Sequence, residues 1–122
     1  MNVWLQPLSS AAALEVLRVD RFPFLIGRGP DCDGRVPFAF VSRRHCQVDR
    51  VGDQLVVRDL ESFNGTYVNG RRADRPEPIA NGDELTVGPV AFRVHIPRAD
   101  RETRYELPRT GTISDPGPPD GA

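Results

Sequence analysis

The sequence CQVDRVGDQLVVRDL, residues 46–60, decides the fold, because two valine-rich runs flank the turn pair Gly52-Asp53. This pair accepts the positive φ angles of a two-residue turn, so the stretch predicts a β-hairpin of residues 46–51 and 54–60. Both arms mix apolar, β-branched residues with polar ones, as expected for strands that bury one face. The middle of the molecule is therefore predicted to be antiparallel β-structure.

The same pattern extends outward on both sides of this hairpin. The sequence ELTVGPVAFRVHI, residues 84–96, predicts a second hairpin about Gly88-Pro89. Asn-Gly occurs three times, and each pair predicts a further hairpin turn. Many short strands, a turn about every ten residues and no helical period predict an all-β sandwich or barrel. The other predicted strands are residues 3–7, 14–19 and 22–26, and the Asn-Gly pairs begin at Asn64, Asn69 and Asn81.

The composition changes after Pro97. Residues 98–122 contain four prolines and three glycines, with few apolar side chains. Such a segment buries too little surface to offset the entropy that is lost on ordering, so we expect a flexible tail or linker there. The 122-residue chain has room for one folded module, which we expect at residues 1–97.

Composition and charge argue against several function classes. The net charge of -1 and the pI of 6.1 give no overall positive field, so we expect no nucleic-acid ligand. No apolar run reaches the ~18 residues of a membrane span and the N-terminus lacks a signal-peptide pattern, so we expect no membrane association. The cysteines, Cys32 and Cys46, fit reduced thiols better than a disulfide framework, which predicts a cytoplasmic location.

Three polar clusters are predicted to lie in loops. They are Gly27-Arg28 after a strand, SRRH at residues 42–45, and SFNGT at residues 62–66, which Asn69-Gly70 follows. Taken singly, each is an ordinary turn or a solvated charge. Residues 27–45 carry four arginines against two aspartates, a local excess of positive charge. A phosphate group, with a charge of about −2 at neutral pH, fits such a field.

In this order and spacing the clusters resemble the forkhead-associated (FHA) domain family, over residues 22–96. The matching motifs are Gly-Arg, then Ser-x-x-His, then Asn-Gly-Thr, then Asn-Gly. The resemblance implies an FHA/SMAD-like β-sandwich of two mostly antiparallel, twisted sheets. It also implies a non-catalytic signalling adaptor whose loops bind a phosphothreonine-containing protein or peptide, the product of a Ser/Thr kinase.

The resemblance assigns roles to residues of these loops. Arg28 would grip the phosphate, and Gly27 would allow the backbone turn that aims it. Ser42 would donate its hydroxyl to a phosphate oxygen, Arg43 would add a positive charge, and Asn64 would hold the peptide backbone. The residues expected to support the loops are His45, Gly65, Thr66, Asn69 and Gly70.

Two positions depart from the family pattern. Phe63 precedes the first Asn-Gly, where family members often have a Ser or Thr whose hydroxyl contacts the phosphate. One phosphate hydrogen bond is therefore expected to be missing, which gives Arg28 and Arg43 more weight. Gly34-Arg35 is the second departure, because many members have apolar strand residues there.

Other functions are compatible with single features of these loops. A hydrolase would use Ser42 as nucleophile, His45 as base and Asp59 as orienting group, but no nucleophile elbow or oxyanion pattern surrounds them. The cysteines and histidines lack paired ligand spacing, and Gly27-Arg28-Gly29 lacks the ending of a nucleotide loop, so we expect no metal or cofactor. The remaining alternative is a phospho-independent interaction or scaffold module with the same fold.

The tail adds a hypothesis of self-association. Thr103, Thr110 and Thr112 lie in residues 98–122, where a kinase could reach them, and Ile113 follows Thr110 by three positions. FHA domains often select an aliphatic or acidic residue at that spacing. A phosphorylated tail would then bind its own domain and block outside partners, or bind a neighbour's domain and form phosphorylation-dependent oligomers. The simpler interpretation is a spacer with incidental threonines.

Overall fold

The structure, a computed structural model, describes residues 2–8 and 14–97. Within these ranges the chain forms β-strands and no helix, so no described helix could span a membrane. The predicted tail at residues 98–122, with its threonines, lies outside the described residues. The strands are β1 Val3–Pro7, β2 Leu17–Val19, β3 Phe24–Gly27, β4 Gly34–Arg35, β5 Cys46–Val51, β6 Gln54–Asp59, β7 Thr66–Val68, β8 Arg71–Arg72, β9 Glu77–Ile79, β10 Glu84–Val87 and β11 Val90–His95.

The strands form two sheets that share one core. The six-stranded sheet has the order β2-β1-β11-β10-β7-β8, and the five-stranded sheet has the order β4-β3-β5-β6-β9. Among the described strands every pairing is antiparallel except that of β3 with β4. The predicted all-β sandwich of two mostly antiparallel sheets is therefore confirmed.

Period-two alternation places the core between the sheets. In β11, Val90, Phe92 and Val94 are buried, whereas the residues between them are half-buried. Val48 and Val57 of the five-stranded sheet belong to the same buried cluster. Burying a side chain of this size contributes about 1.5–3 kcal/mol, so the shared core holds the two sheets together.

Three two-residue turns join neighbouring strands as hairpins. Gly52-Asp53 connects β5 to β6, and Gly88-Pro89 connects β10 to β11, as predicted. Asn69-Gly70 connects β7 to β8, and its φ angles of 51° and 83° suit this tight turn. Two strands begin later than predicted, β2 at Leu17 and β3 at Phe24.

The other two Asn-Gly pairs do not form hairpins, so the prediction was wrong for them. Asn64-Gly65 leads from β6 to β7, and Asn81-Gly82 leads from β9 to β10, and in both cases the chain passes from the five-stranded to the six-stranded sheet. Both glycines do have a positive φ, 88° and 91°. The local turn is therefore as expected, but the strands beyond it pair with other partners, because sheet pairing depends on distant parts of the chain.

Antiparallel pairing brings several loops to one end of the sandwich. β3 and β6 end where β5 begins, because β5 is antiparallel to both neighbours. The β3–β4, β4–β5 and β6–β7 loops meet there. The β10–β11 hairpin joins them, since the Gly88 N–H donates to the Gly65 carbonyl over 3.1 Å. These loops contain most of the residues that the sequence assigns to a site.

Candidate functional site

Backbone hydrogen bonds join the segment after β3 to the β4–β5 loop. The N–H of Arg28 donates to the Ser42 carbonyl over 2.9 Å, and that of Gly29 donates to the Arg43 carbonyl over 3.0 Å. Gly27 lies so close to this loop that a Cβ atom there would overlap the Arg43 carbonyl oxygen. Its φ is not positive. Gly27 is therefore needed for this close approach, which is the reason the structure gives for a glycine at this position.

Arg28 is held by a side-chain hydrogen bond in addition to these backbone hydrogen bonds. Its Nε donates to the Val41 carbonyl over 2.9 Å, which leaves the terminal nitrogens of the guanidinium for a ligand. Arg28 and Arg43 are both exposed. Within the described part of the chain, no carboxylate lies within 4.0 Å of either guanidinium. Two cations without an acidic partner among these residues therefore flank Ser42.

Ser42 is held through three of its polar groups. Its carbonyl accepts from Arg28, its N–H donates to His45 Nδ1 over 3.1 Å, and its Oγ accepts from the Phe63 N–H over 3.0 Å. Because Oγ acts as the acceptor in this last bond, the hydroxyl hydrogen is available to donate to an anion. Phe63 itself is 88% exposed, so its backbone supports the site while its side chain lies in solvent.

His45 ties two loops together from a fully buried position. Since Nδ1 accepts from the Ser42 N–H, the ring proton is assigned to Nε2, which donates to the Gly65 carbonyl over 2.8 Å. Burial lowers the pKa of His45, so the neutral ring is favoured. Both ring nitrogens are engaged, and the hydrogen bond of Ser42 Oγ goes to Phe63. The arrangement of a Ser-His catalytic pair is therefore absent from these described residues.

Asn64 is half-buried and contacts the neighbouring loop. Its Nδ2 donates to the Phe40 carbonyl over 2.7 Å. Part of the amide that was expected to face a peptide thus holds the β4–β5 loop in place. The amide oxygen, which has no hydrogen-bond donor among the described residues, is the group that remains for a peptide N–H.

The β6–β7 loop is organised by Asp59, at the end of β6. Its carboxylate accepts from the hydroxyl groups of Ser62 and Thr66 and from the Ser62 N–H. The Ser62 hydroxyl also accepts from the Gly65 N–H over 3.0 Å. The sequence predicts loop support for Thr66 and Gly65 but no role for Ser62, and for Asp59 only that of the orienting group in a hydrolase. The spacing Asp-x-x-Ser is a known side-chain-to-backbone turn pattern and could have pointed to this role.

Asn69 and Gly70 do not join the site. They form the hairpin at the far end of β7, whereas Thr66 begins β7 beside the loops. The Asn69 side chain donates to Asp83 over 3.2 Å and accepts from the Glu84 N–H over 2.9 Å. These two residues support the fold at the opposite end of the sandwich.

A groove opens beside Asn64 at the same end of the sandwich. It has a volume of about 430 Å³ and lies between the β4–β5 and β6–β7 loops and the β10–β11 hairpin. Phe40, which lines it, is 67% exposed. The groove is lined by Phe40, Asn64, Tyr67, Gly88 and Pro89.

The two thiols near the loops are protonated at neutral pH. Burial raises the pKa of Cys46 to about 12, and burial together with Asp31 raises the pKa of Cys32. The Cys32 Sγ donates to the Arg43 carbonyl over 3.0 Å, which adds to the support of the β4–β5 loop. In residues 2–8 and 14–97, no three His, Cys, Asp or Glu side chains are placed to hold a metal ion.

The fold and these loops define a class of protein, the β-sandwich binding modules that present polar side chains from loops at one end. Comparison with known proteins identifies the family within that class, because the FHA domain model matches residues 24–88. The chain belongs to the FHA domain family.

Three similar proteins illustrate the relationship. An oxoglutarate dehydrogenase inhibitor from Corynebacterium jeikeium is 47% identical over 62 residues, which are 51% of this chain and 42% of the relative. The glycogen accumulation regulator GarA from Mycolicibacterium smegmatis is 44% identical over 62 residues, 51% of this chain and 39% of the relative. An FHA domain solved in a study of phosphothreonine-dependent FHA interactions is 30% identical, with a TM-score of 0.70 over 79% of this chain and 97% of that domain. The matched region thus spans less than half the length of these two curated relatives.

Proposed function

We propose that residues 1–97 form a non-catalytic module that binds phosphothreonine-containing proteins through Arg28, Ser42, Arg43 and Asn64. One observation carries this proposal. The Ser42 hydroxyl, which is free to donate, lies beside two arginines that have no carboxylate partner among the described residues. A phosphate accepts hydrogen bonds from both kinds of donor, and the guanidinium fork matches its geometry.

Each residue has a separate task in this proposal. The terminal nitrogens of Arg28 and the Ser42 hydroxyl bind the phosphate oxygens, and Arg43 adds positive charge at the surface. The Asn64 amide oxygen accepts a peptide N–H beside the phosphothreonine. The groove next to Asn64 then receives a neighbouring part of the peptide, because Asn64 itself lines the groove.

The relatives support a regulatory role. The solved domain that is 30% identical belongs to a study of phosphothreonine-dependent interactions, and the curated relatives are named as an inhibitor and a regulator. The engaged ring nitrogens of His45 argue for binding rather than hydrolysis at Ser42. We infer a signalling adaptor that acts downstream of a Ser/Thr kinase, in the cytoplasm, where the two free thiols would stay reduced.

The test is whether binding depends on phosphorylation. An oriented phosphothreonine peptide library selects a ligand, and calorimetry then compares that peptide with its unphosphorylated and phosphoserine forms. We expect binding of the phosphothreonine form to exceed that of the unphosphorylated form by at least about thirtyfold, or ~2 kcal/mol. Equal affinity for both forms would instead assign the chain to phospho-independent scaffold modules.

A further inference from the structure

Arg35 is a third exposed arginine beside the proposed phosphate site. It ends β4, where its Cα is paired with that of Gly27, the residue before Arg28. Its Nε donates to the Arg28 carbonyl over 3.1 Å. This bond places the Arg35 guanidinium against the backbone of Arg28 and leaves its terminal nitrogens for a ligand. The position is also one of the two at which the sequence departs from the family pattern.

The two aspartates of the same segment are already matched by other arginines. Asp31 lies 4.0 Å from Arg44. Asp33 lies 3.8 Å from Arg21 and also accepts from the Leu25 N–H over 2.8 Å. In the described ranges neither aspartate forms an ion pair within 4.0 Å with Arg28, Arg35 or Arg43.

Three arginines remain on this side of Ser42, namely Arg28, Arg35 and Arg43. None of the three has a carboxylate within 4.0 Å in the described ranges. The charges of Arg28 and Arg43 match the charge of about −2 on a phosphothreonine, so that of Arg35 is a surplus positive charge.

The acidic residues of the β6–β7 loop do not cancel this surplus locally. Asp59 directs its carboxylate to Ser62 and Thr66, and Glu61 is exposed. Their loop reaches Ser42 through the Phe63 N–H, whereas Arg28 reaches it through the Ser42 carbonyl. Within the described ranges neither carboxylate lies within 4.0 Å of Arg28, Arg35 or Arg43.

We propose that Arg35 binds a second anionic side chain of the ligand, close in sequence to the phosphothreonine. This inference rests on the proposed function. The chemistry that fits is a carboxylate of Asp or Glu or a second phosphate, since a guanidinium grips either with two N–H groups. Arg35 contacts the Arg28 backbone directly, and an extended peptide advances about 3.3–3.6 Å per residue, so we place the second anion within about three positions of the phosphothreonine.

The experiment measures peptide affinity for the full chain and two variants by calorimetry. A phosphothreonine peptide with otherwise neutral residues is compared with peptides that carry one Glu at each position from three before to three after the phosphothreonine. A second series carries phosphoserine, in place of Glu, at the same positions. The variants are Arg35→Gln and the matched control Arg50→Gln, because Arg50 is also exposed and donates its Nε to a backbone carbonyl, that of Gly52, over 2.8 Å. Arg50 lies near the β5–β6 hairpin, away from the loops.

We expect one or two Glu positions to raise the affinity of the unaltered protein about threefold to fivefold, and phosphoserine to raise it about tenfold. Arg35→Gln should abolish this gain and leave the affinity for the neutral phosphopeptide within about twofold. Arg50→Gln should keep the gain. The gain should also shrink at high salt, because the pair is exposed.

Several results would overturn the inference. One is the absence of a gain at every position in the unaltered protein. Another is an equal loss of neutral and acidic phosphopeptides in Arg35→Gln, which would make Arg35 a ligand of the phosphothreonine itself or a support of the loop. If no peptide binds in a phosphorylation-dependent way, the proposed function fails and this inference fails with it. A gain with phosphoserine alone would support the inference and identify the second anion as a phosphate.

Discussion

At the scale of single residues, Ser42 shows how the proposed phosphate site is held before a ligand arrives. Its carbonyl, N–H and Oγ each bind a different segment, through Arg28, His45 and Phe63. A side chain that is already held in this way loses less conformational entropy on binding. Its hydroxyl hydrogen is the part left for the ligand.

Arg28 is expected to supply the largest single part of the affinity. Its guanidinium contributes charge-assisted hydrogen bonds to the phosphate worth ~2–4 kcal/mol, so Arg28→Ala should weaken phosphopeptide binding about thirtyfold or more. Arg28→Lys should recover only part of this, because an ammonium lacks the fork. Calorimetry on folded variants measures both. A loss below about threefold for Arg28→Ala would remove Arg28 from the phosphate site.

Gly27 is expected to control the position of Arg28. In Gly27→Ala the new Cβ collides with the Arg43 carbonyl, so the ladder between Arg28 and Ser42 must open. We expect the free energy of unfolding to fall by about 2–3 kcal/mol and phosphopeptide affinity to fall at least tenfold. Urea denaturation and calorimetry measure the two effects.

The matched control for this prediction is Gly52→Ala in the β5–β6 turn. Gly52 has a φ of 64°, but an added methyl group would meet nothing within 4 Å, so only backbone strain of about 1 kcal/mol is expected. The phosphopeptide affinity of Gly52→Ala should be unchanged, since the turn lies at the far end of the sandwich. Equal losses of affinity in the two variants would contradict the close-approach explanation.

At the scale of elements, the β6–β7 loop carries the chain from one sheet to the other and presents Asn64 on the way. A crossing of this kind has no ladder of strand hydrogen bonds to hold it. The carboxylate of Asp59 replaces that ladder by binding Ser62 and Thr66, and Gly65 adds a bond to His45. The position of Asn64 thus depends on a cluster of polar groups below it.

Asp59→Ala should therefore loosen the loop. It removes the acceptor of three hydrogen bonds, one of them from the hydroxyl of the fully buried Thr66, so we expect a loss of about 2–4 kcal/mol in the free energy of unfolding. Asp53→Ala, in an exposed turn, should change it by less than about 0.5 kcal/mol. Urea denaturation of both variants is the measurement, and similar small losses would refute this role of Asp59.

At the scale of the whole molecule, His45 links the stability of the sandwich to pH. Burial lowers its pKa in the folded protein below the ordinary value of 6.5, whereas the unfolded chain keeps that value. As the pH falls below about 6.5, the unfolded state takes up the proton first, so the folded state loses relative stability. The contribution of the neutral His45 ring to the free energy of unfolding is therefore fully present only above pH 6.5.

The free energy of unfolding should consequently fall between about pH 7 and pH 5.5, and it should fall less in His45→Gln, which has no proton to gain there. Denaturation curves at several pH values give the two slopes, and equal slopes would contradict the assignment. If His45→Gln does not fold, the imidazole titration by NMR in the unaltered protein provides the same test. Its midpoint should lie below 6.5.

Phosphopeptide affinity should weaken as the pH falls through about 6, where the phosphate dianion takes up a proton. Protonation of His45 acts in the same direction, because a protonated Nδ1 can no longer accept from the Ser42 N–H. Calorimetry between about pH 5.5 and 7.5, with the unphosphorylated peptide as control, measures the effect. A flat profile would argue against a site centred on phosphate.

Much of the fold follows from local preferences in the sequence. Two-residue turns at Gly52-Asp53 and Gly88-Pro89 and the alternation in β11 were enough to predict hairpins with correct strands. These signals are readable because a turn and a period-two pattern depend on residues next to each other. The order of the polar motifs likewise led to the correct family, although the individual site residues remain a proposal.

Only the tertiary structure decided the features that depend on distant residues. Asn64-Gly65 crosses between sheets instead of forming a hairpin, since the pairing of β6 and β7 is settled by other strands. Gly27 is required because the carbonyl of Arg43 approaches it, and these residues are sixteen positions apart in the sequence. The sequence by itself thus determined seven of the eleven described strands, three of the five predicted hairpin turns and the family motifs. The short strands β4, β7, β8 and β9 were not predicted, and the packing of separate loops determined how the site is held. The physical reason is that turns depend on neighbouring residues, whereas contacts across loops exist only after the core has brought the strands together.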